Sequence, residues 1–396
     1  MNNAISTTLP SSLGRDSQAI IGLLQQLRHG SVDLRLPDGA VMRCGDGDGP
    51  AVALFVDEEE MFSRVLARGD IGFAEAYLDG QWRCNDLTAL FTLLARNRET
   101  LREAVHGRWL NLLATRLGHW LWRRNSRRGS RRNIMAHYDL GNDFYRLWLD
   151  EGMNYSAALF SDGAATLAEA QAAKQQRIFD RLQAQPGQRL LEIGCGWGDF
   201  AAAARQRGLD VTGLTLSPAQ LHQAQQRAAG ADLRLQDYRD LEQRFDHIVS
   251  VEMFEAVGER WWPTFFGQIN KCLAADGVAL IQSIVIRDDL FASYRKHPDF
   301  IQQFIFPGGM LPSPAQFQHH AAAAGLVVSD AFAFGGDYAR TLASWRESFD
   351  ANWPRIAALG FDETFRRLWR LYLGYCEAGF IAGDIDVVQY ELRHRS

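Results

Sequence analysis

The second half of the chain alternates strand-like and helix-like segments, and this alternation restricts the fold more than any other feature. From about residue 133 onward, short apolar runs are separated by segments with helical periodicity. That order is typical of βαβ units, whose parallel strands form one sheet with helices packed on its faces. We therefore predict an α/β fold with a Rossmann-like sheet and added helices. The predicted strands are Arg189–Gly194, Val211–Leu216, Leu233–Asp237, Phe245–Met253, Val278–Ile286, Val327–Phe334 and Val387–Arg393.

The chain of 396 residues is long enough for two or three domains. Residues 1–18 are polar and are predicted to form a disordered leader, and residues 19–107 a small N-terminal α+β domain. Residues 108–132 are predicted to be an amphipathic linker rich in Trp and Arg, and residues 133–396 the large α/β domain. Glycine- and aspartate-rich turns separate the strands predicted in the small domain. These strands are Val32–Leu36, Val41–Cys44 and Ala51–Val56.

The linker combines an apolar helical stretch with a cluster of arginines. Trp109, Leu113 and Trp120 belong to the stretch, and six arginines lie between Arg123 and Arg132. Such a segment can lie in a bilayer interface, with its arginines on anionic headgroups. Equally, it can be a helix packed on its neighbours and followed by a solvated basic segment. The pattern alone leaves both interpretations open.

Composition indicates a protein of a reducing compartment. The five cysteines are odd in number and form no CxxC pair, which argues against a zinc site and against a secreted disulfide framework. The N-terminus lacks the features of a signal peptide, and no apolar run approaches the roughly 20 residues of a membrane span. We therefore expect a cytoplasmic protein, peripheral on the inner face of the membrane, with no metal site and no nucleic-acid partner.

A glycine-rich turn follows the first predicted strand of the large domain, where residues 190–198 read LLEIGCGWG. Gly194, Gly196 and Gly198 permit a tight strand-to-helix turn, and the helix N-terminus offers unpaired N–H groups to a ligand. Dinucleotide-dependent enzymes share this spacing, and a turn that merely needs glycines is the plainer alternative. Glu192 points instead to an S-adenosylmethionine (SAM) methyltransferase, where an acid at this position contacts the methionine ammonium.

The ends of the next two predicted strands carry further candidate cofactor-binding residues. The second strand lacks the carboxylate that usually binds the ribose hydroxyls, but Thr215 and Gln220 can still form hydrogen bonds with the cofactor. The third strand ends in Gln236, Asp237 and Tyr238. Asp237 can accept a hydrogen bond from an adenine amine, and Tyr238 can stack beside the ring.

Together with flanking segments, this threonine–glutamine variant resembles the cyclopropane fatty acid synthase family. The likeness spans nearly the whole chain in order. The matching segments are GFAEAYLDGQW at 72–82, AHYDLGNDFY at 136–145, MNYS at 153–156, SVEMFEAVG at 250–258, FIFPGGMLPS at 304–313 and GGDY at 335–338. The resemblance implies that residues 133–396 form a SAM-dependent methyltransferase domain with an acyl pocket, and that Tyr155 and Ser156 close over SAM.

The family uses a bound bicarbonate as the base that removes a proton after methyl transfer. By position, the resemblance implies that Glu255, Tyr338 and the backbone of Ile284 contact that anion. Two other positions depart from the family pattern, because Gln282 replaces a usual histidine and Ala157 a usual cysteine. Glutamine still donates a hydrogen bond, whereas the alanine side chain does not. Losing one donor to a buried anion costs about 1.5–3 kcal/mol, so bicarbonate is expected to bind more weakly unless a backbone N–H or a water substitutes.

Two further positions near Glu255 also depart from the family pattern. Glu252 replaces a small family residue and is interpreted as structural, and Ala256 replaces a histidine. Methyl transfer to an alkene leaves a carbocation, which aromatic faces stabilise through their quadrupoles. Tyr138, Tyr155 and Phe254 are the candidates for that task.

The leading hypothesis is that the chain forms cyclopropanes on unsaturated phospholipid acyl chains, using SAM and, if the altered anion site still binds it, bicarbonate. The first alternative gives a methylated or methylene-branched alkene from the same substrate class, and Ala157 keeps it open. A small-molecule O- or N-methyltransferase and a non-catalytic lipid-binding protein are the remaining alternatives. The resemblance also suggests a homodimer, an anionic membrane surface as partner and, for one branch of the family, a flavin oxidoreductase.

Overall fold

The computed structural model describes residues 13–46, 51–105, 140–160 and 166–395. Two compact units divide the chain: one contains its N-terminal part with residues 299–301 and 360–382, and the other contains the rest. The predicted linker of residues 108–132 lies outside the described residues, as does most of the predicted leader. The end of that leader differs from the prediction, because a helix begins at Arg15 and buries Ser17 on its apolar side.

The first unit is built on a four-stranded sheet in the order β2-β1-β3-β4. The central strands β1 and β3 are parallel, and β2 and β4 pair antiparallel on the outside. The three predicted strands are confirmed. The strands are β1 Ser31–Arg35, β2 Val41–Cys44, β3 Ala51–Val56 and β4 Trp82–Cys84. The helices that precede the gap at residue 106 are α1 Arg15–Leu24, α2 Glu60–Arg68, α3 Asp70–Leu78, α4 Leu87–Arg96 and α5 Arg98–Val105.

A helix from the C-terminal part of the chain, Glu363–Ile381, also belongs to this first unit. Thr88 Oγ1 in α4 donates to Glu377 Oε2 at 2.8 Å, and the rings of Phe91 and Tyr375 meet edge to face at 5.4 Å. The sequence assigned this segment to the domain of residues 133–396. The structure differs from that assignment because the helix packs on α4 of the first unit, a partner that local periodicity does not reveal.

The second unit contains a seven-stranded sheet in the order β10-β11-β9-β8-β5-β6-β7. Its strands β5 to β9 are parallel to one another, and β11 runs antiparallel between β9 and β10. All seven predicted strands are present, and the predicted Rossmann-like sheet is confirmed. The strands are β5 Arg189–Ile193, β6 Asp210–Thr215, β7 Asp232–Leu235, β8 Phe245–Val251, β9 Leu273–Ile286, β10 Leu326–Ala333 and β11 Ile385–His394.

Helices cover both faces of this sheet and bury two apolar cores. Successive residues of β5 point to opposite faces, so Leu190 belongs to one core and Leu191 to the other. The carboxyl ends of the parallel strands therefore meet at one edge between two packed faces, where ligands bind in such folds. The helices are α6 Asn142–Tyr145, α7 Leu167–Leu182, α8 Asp199–Gln206, α9 Pro218–Arg227, α10 Trp262–Cys272, α11 Asp288–Tyr294, α12 Pro314–Ala323, α13 Gly335–Ala351 and α14 Trp353–Ala358, so that Glu363–Ile381 is α15.

Within the described ranges, the structure contains no helix long and apolar enough to span a bilayer.

Candidate active site

A cavity opens at the carboxyl ends of β5, β6 and β8 in the second unit. All of the sequence-predicted cofactor-binding residues contribute to its wall except Gly198, which lies just behind it in the turn. These lining residues are Tyr155, Ser156, Glu192, Gly194, Gly196, Thr215, Gln220, Gln236, Asp237 and Tyr238. The structure therefore brings together residues that are up to about 80 positions apart in the chain.

The glycine turn forms one side of this cavity. Gly194, Gly196 and Gly198 all have positive φ, at 89°, 50° and 85°. A Cβ on Gly198 would lie 2.8 Å from the Cα of Ala224, whereas a Cβ on Gly196 would meet no atom within 4 Å. Gly198 therefore allows α8 and α9 to pack closely, and Gly196 leaves the backbone open to a ligand.

Glu192, the penultimate residue of β5, is a buried acid that is only 5% exposed. Burial, followed by the charge of Asp199, raises its pKa to about 8. Within the described residues, its Oε2 atom is buried and accepts no hydrogen bond. An unpartnered buried carboxyl oxygen is costly, so a cationic donor in the cavity would stabilise it. The methionine ammonium of SAM is such a donor, and the residues present fit this cofactor.

Thr215 and Gln220 are locked together beside the glycine turn. The Thr215 hydroxyl donates to Gln220 Oε1 at 2.9 Å, and the Ser217 backbone N–H donates to Thr215 Oγ1 at 3.1 Å. Both side chains are buried, so their orientation is fixed before a ligand binds. This pair occupies the strand end where the usual ribose-binding carboxylate is missing.

Asp237, predicted to accept a hydrogen bond from adenine, already accepts hydrogen bonds from Arg239. Its Oδ2 accepts from Arg239 Nη2 at 2.6 Å, and its Oδ1 accepts from the Arg239 backbone N–H and Nε. The two side chains are only 11% and 6% exposed, so the ion pair shapes the cavity wall. Gln236 and Tyr238 flank it, and Tyr238 packs edge to face on Phe265 at 5.5 Å.

A buried lysine fixes the segment that follows Tyr155. Lys174 Nζ in α7 donates to Ser156 Oγ at 2.7 Å and to Gln171 Oε1 at 2.6 Å. Gln171 in turn donates to the Ser156 carbonyl at 2.9 Å. Burial lowers the Lys174 pKa, and the charge of Glu252 opposes that shift. The sequence prediction missed Lys174, because a single lysine on a helix face carries no pattern.

Aromatic rings surround Tyr155 at the same edge. Its ring lies 5.6 Å from Tyr145, 5.5 Å from Trp148 and 5.3 Å from Trp345. Trp345 is fully buried in α13 and also packs at right angles to Tyr338, at 6.1 Å. We call this group of five residues the aromatic wall. Tyr155 lines the cavity, and Tyr145, Trp148 and Trp345 are buried behind it.

Beside the aromatic wall, Glu252 binds three hydrogen-bond donors. Its Oε1 accepts from the Ala157 backbone N–H at 2.8 Å and from Gln282 Nε2 at 2.7 Å. Its Oε2 accepts from the Tyr338 hydroxyl at 2.6 Å. Glu252 also lines the cofactor cavity. The sequence interpretation of Glu252 as merely structural missed this arrangement.

Glu255 lies one turn further on, and its Oε1 accepts from the Ile284 backbone N–H. Burial, followed by the charge of Glu252, raises the pKa of Glu255 to about 8. The four residues assigned to the anion site by resemblance, Glu255, Tyr338, Gln282 and Ile284, are therefore together. The structure adds Glu252 among them.

Of the three residues predicted to stabilise a cation, Phe254 and Tyr138 are not among the described residues that line the cavity. Phe254 is fully buried in the core, with Phe265 at 4.9 Å and Phe266 at 5.3 Å, and it does not line the cavity. That prediction was wrong, because Phe254 begins a short 3₁₀ turn after β8 and its ring packs into the apolar core instead. Tyr138 lies outside the described residues.

Comparisons with known proteins agree with this site. The profile of the mycolic acid cyclopropane synthetase family matches residues 125–390. A tuberculostearic acid methyltransferase of Mycobacterium tuberculosis is 38% identical, over 98% of this chain and 94% of that protein. The cyclopropane-fatty-acyl-phospholipid synthase of Escherichia coli is 37% identical, over 90% of this chain and 92% of that protein.

A solved structure supports the same assignment. The crystal structure of a mycolic acid cyclopropane synthase complexed with SAH and CTAB superposes with a TM-score of 0.62 at 36% identity. The superposition covers 66% of this chain and 97% of the chain in that crystal structure. The profile match, the two relatives and the cofactor cavity lead to one conclusion: the chain belongs to the mycolic acid cyclopropane synthetase family and is a SAM-dependent C-methyltransferase.

Proposed function

We propose that the protein methylates a cis double bond in an unsaturated phospholipid acyl chain and closes a cyclopropane there. The observation that carries this proposal is a pair of neighbouring, partly buried acids, Glu252 and Glu255. Glu252 lines the cofactor cavity and accepts a hydrogen bond from Tyr338 of the aromatic wall. Methylation of an oxygen or nitrogen acceptor uses a nucleophilic lone pair. Methylation of an alkene instead leaves a carbocation that must lose a proton from carbon, so a positioned base in a dry site is required.

Bound SAM supplies an electrophilic methyl group. We expect Glu192 to bind the SAM ammonium and the glycine turn to contact the cofactor through its backbone. Tyr155, the residue of the aromatic wall that lines the cavity, presents a π face to a cation on the acyl chain, worth roughly 0.5–2 kcal/mol. An alkene is a weak nucleophile, so alignment by rigid packed side chains supplies much of the rate.

A second candidate product, a methylated or methylene-branched alkene, has its own support. Ala157 stands where the family has a cysteine, and a relative that spans 98% of this chain is named for methyl transfer and not for cyclopropane formation. Both products arise from the same cation. They differ in which proton leaves, since loss from the new methyl group can close the ring.

The test uses SAM labelled in its methyl group and vesicles of a monounsaturated phospholipid. We expect label in the released fatty acids, in a product that resists mild catalytic hydrogenation, as a cyclopropane does. A labelled product that takes up hydrogen would favour the second candidate. Label that appears only in added polar acceptors would contradict the proposal and favour a small-molecule methyltransferase, and binding of lipid without any transfer would indicate a lipid-binding protein.

Phospholipid substrates also require access to a membrane. We propose that the arginines of residues 123–132 bind anionic headgroups at the inner face of the membrane, each worth about 1 kcal/mol near the surface. Replacing them by glutamine is expected to weaken binding to anionic vesicles, most of all at low salt. Unchanged binding would contradict this role. The homodimer and the flavin oxidoreductase partner stay predictions.

A further inference from the structure

We propose that the Glu252 carboxylate occupies the position of the bicarbonate anion used by the family and is itself the base of the reaction. This inference rests on the proposed function. It makes Glu252 a catalytic residue and predicts turnover without bicarbonate. The geometry, the backbone and the charges around Glu252 each contribute to the argument.

Two of the donors expected to bind bicarbonate are hydrogen-bonded to Glu252, whereas a third, the Ile284 backbone N–H, donates to Glu255. Gln282 Nε2 and the Tyr338 hydroxyl both donate to its carboxylate, at 2.7 Å and 2.6 Å. The Ala157 backbone N–H donates as well, at 2.8 Å, although the alanine side chain offers nothing. A small anion at this position would need the same donors, so the residues present do not fit bicarbonate together with Glu252.

The backbone of Glu252 indicates that its side chain is required there. Its φ of 50° lies in the left-handed region, which strains an L-residue and suits glycine better. The Glu252 N–H donates to the Gln282 carbonyl at 2.9 Å, which fixes this conformation between β8 and β9. Charge-assisted hydrogen bonds to the carboxylate are strong enough to offset the strain.

The surrounding charges favour one anion at this site. Burial raises the pKa of Glu252 above its usual range, while the donors Tyr338 and Ala157 and the Lys174 ammonium lower it. Burial and the charge of Glu252 raise the pKa of Glu255, which accepts from a backbone N–H, so Glu255 is the acid of the pair that retains its proton more readily. Two neighbouring carboxyl groups titrate as a pair, and the negative charge resides on the better-bonded Glu252.

The position of Glu252 also suits proton removal. A carboxylate has about four acceptor positions, and the three donors use three of them. Glu252 lines the cofactor cavity, whereas Tyr338 and Gln282 do not. The carboxylate therefore separates its donors from the place where the methyl group is transferred, with one acceptor position left for a proton.

The reaction can be written with every electron pair placed. The alkene pair forms the new C–C bond as the C–S bond breaks toward sulfur, which leaves a cation on the adjacent chain carbon. Glu252 accepts a proton from the new methyl group, and the C–H pair closes the ring onto the cation. Protonated Glu252 then returns its proton to water. The chain needs no further reactant for this step.

The test compares the intact protein with three variants in buffer depleted of carbon dioxide. Glu252→Gly suits the left-handed backbone and empties the anion position, and Glu252→Gln keeps the shape without the charge. Glu347→Gln makes the same chemical change at an exposed site on α13 and serves as the control. Methyl transfer to lipid is measured with and without added bicarbonate, and binding of carbon-13 bicarbonate is measured by NMR line broadening. Thermal unfolding verifies that each variant is folded.

We expect the intact protein and Glu347→Gln to be equally active without bicarbonate and to bind none. Glu252→Gln should lose about 100-fold or more of the rate, and bicarbonate should not restore it. Glu252→Gly should lose a similar factor, bind bicarbonate and regain part of the rate with it. Rates of the intact protein that rise with bicarbonate, or a Glu252→Gln variant that stays active, would overturn the inference. If the intact protein transfers no methyl group to lipid, the proposed function fails, and the NMR result still decides what occupies the anion position.

Discussion

Removing the Tyr338 hydroxyl is expected to move the pH dependence of methyl transfer. Tyr338→Phe retains the buried ring in α13 and removes only the donor that lies 2.6 Å from Glu252 Oε2. A hydrogen bond to an ionised group contributes about 1.5–3 kcal/mol, which corresponds to about 1–2 pKa units. The bond stabilises the charged form of Glu252, so the variant should have a Glu252 pKa higher by that amount.

The direction of the effect follows from which form is active. A base must be ionised, so activity rises as pH increases through the Glu252 pKa. The acidic limb of the rate profile in Tyr338→Phe should therefore move about 1–2 units to higher pH, with most of the rate regained above it. The measurement is the rate of labelled methyl incorporation into phospholipid at saturating SAM over a range of pH.

A matched control separates this effect from a general loss of packing. Tyr294→Phe removes a hydroxyl that accepts from the Leu311 N–H at 3.3 Å, and its acidic limb should not move. An equal loss of rate at every pH in Tyr338→Phe would refute the reasoning, because Tyr338 would then not act through the ionisation of Glu252.

Three further predictions concern stability and cofactor binding. Gly198→Ala should lower the free energy of unfolding by about 2–5 kcal/mol in urea, because it adds overlap with Ala224 to an unfavourable φ, whereas Gly196→Ala should cost about 1–2 kcal/mol; equal losses would contradict this account of the turn. Glu192→Gln should weaken SAM binding about 10- to 100-fold in calorimetry, since a charge-assisted hydrogen bond is lost. Unchanged affinity would show that the SAM ammonium does not bind at Glu192. Glu255 is protonated in the folded protein up to a pKa of about 8, against an ordinary value of 4.5, so its contribution to stability is present below pH 4.5 and is lost as pH rises through about 8. Glu255→Gln should therefore show a smaller decrease in melting temperature over that interval, and a decrease as large as in the intact protein would argue against the raised pKa.

Local patterns in the sequence were sufficient to predict the sheet and much of the cofactor site. Short apolar runs between helical segments located every strand of the seven-stranded sheet, because buried parallel strands are almost continuously hydrophobic. The glycine turn and Glu192 lie within one short segment, and a turn of that kind is determined by the backbone freedom of its own residues.

Interactions between distant segments were beyond such patterns. Glu252 contacts Ala157, Gln282 and Tyr338, which are 95, 30 and 86 positions away in the chain. Those three donors show that Glu252 belongs to the site. No local periodicity distinguishes such an acid, hydrogen-bonded by distant residues, from a merely structural one. Asp237 is a local case. The arginine that donates to its carboxylate is only two residues away, but it lies in a turn whose geometry the sequence does not specify.

The most direct test of acyl-chain methylation is to supply SAM with a trideuterated methyl group, together with oleoyl phospholipid vesicles and the intact protein. Mass spectrometry of the released fatty acids then counts the deuterium atoms that remain. Proton removal from the new methyl group predicts an acyl chain that gains one carbon with two deuterium atoms and resists hydrogenation. A product with three deuterium atoms would show that the base takes its proton elsewhere and would contradict ring closure, and lipid without deuterium would contradict acyl-chain methylation altogether.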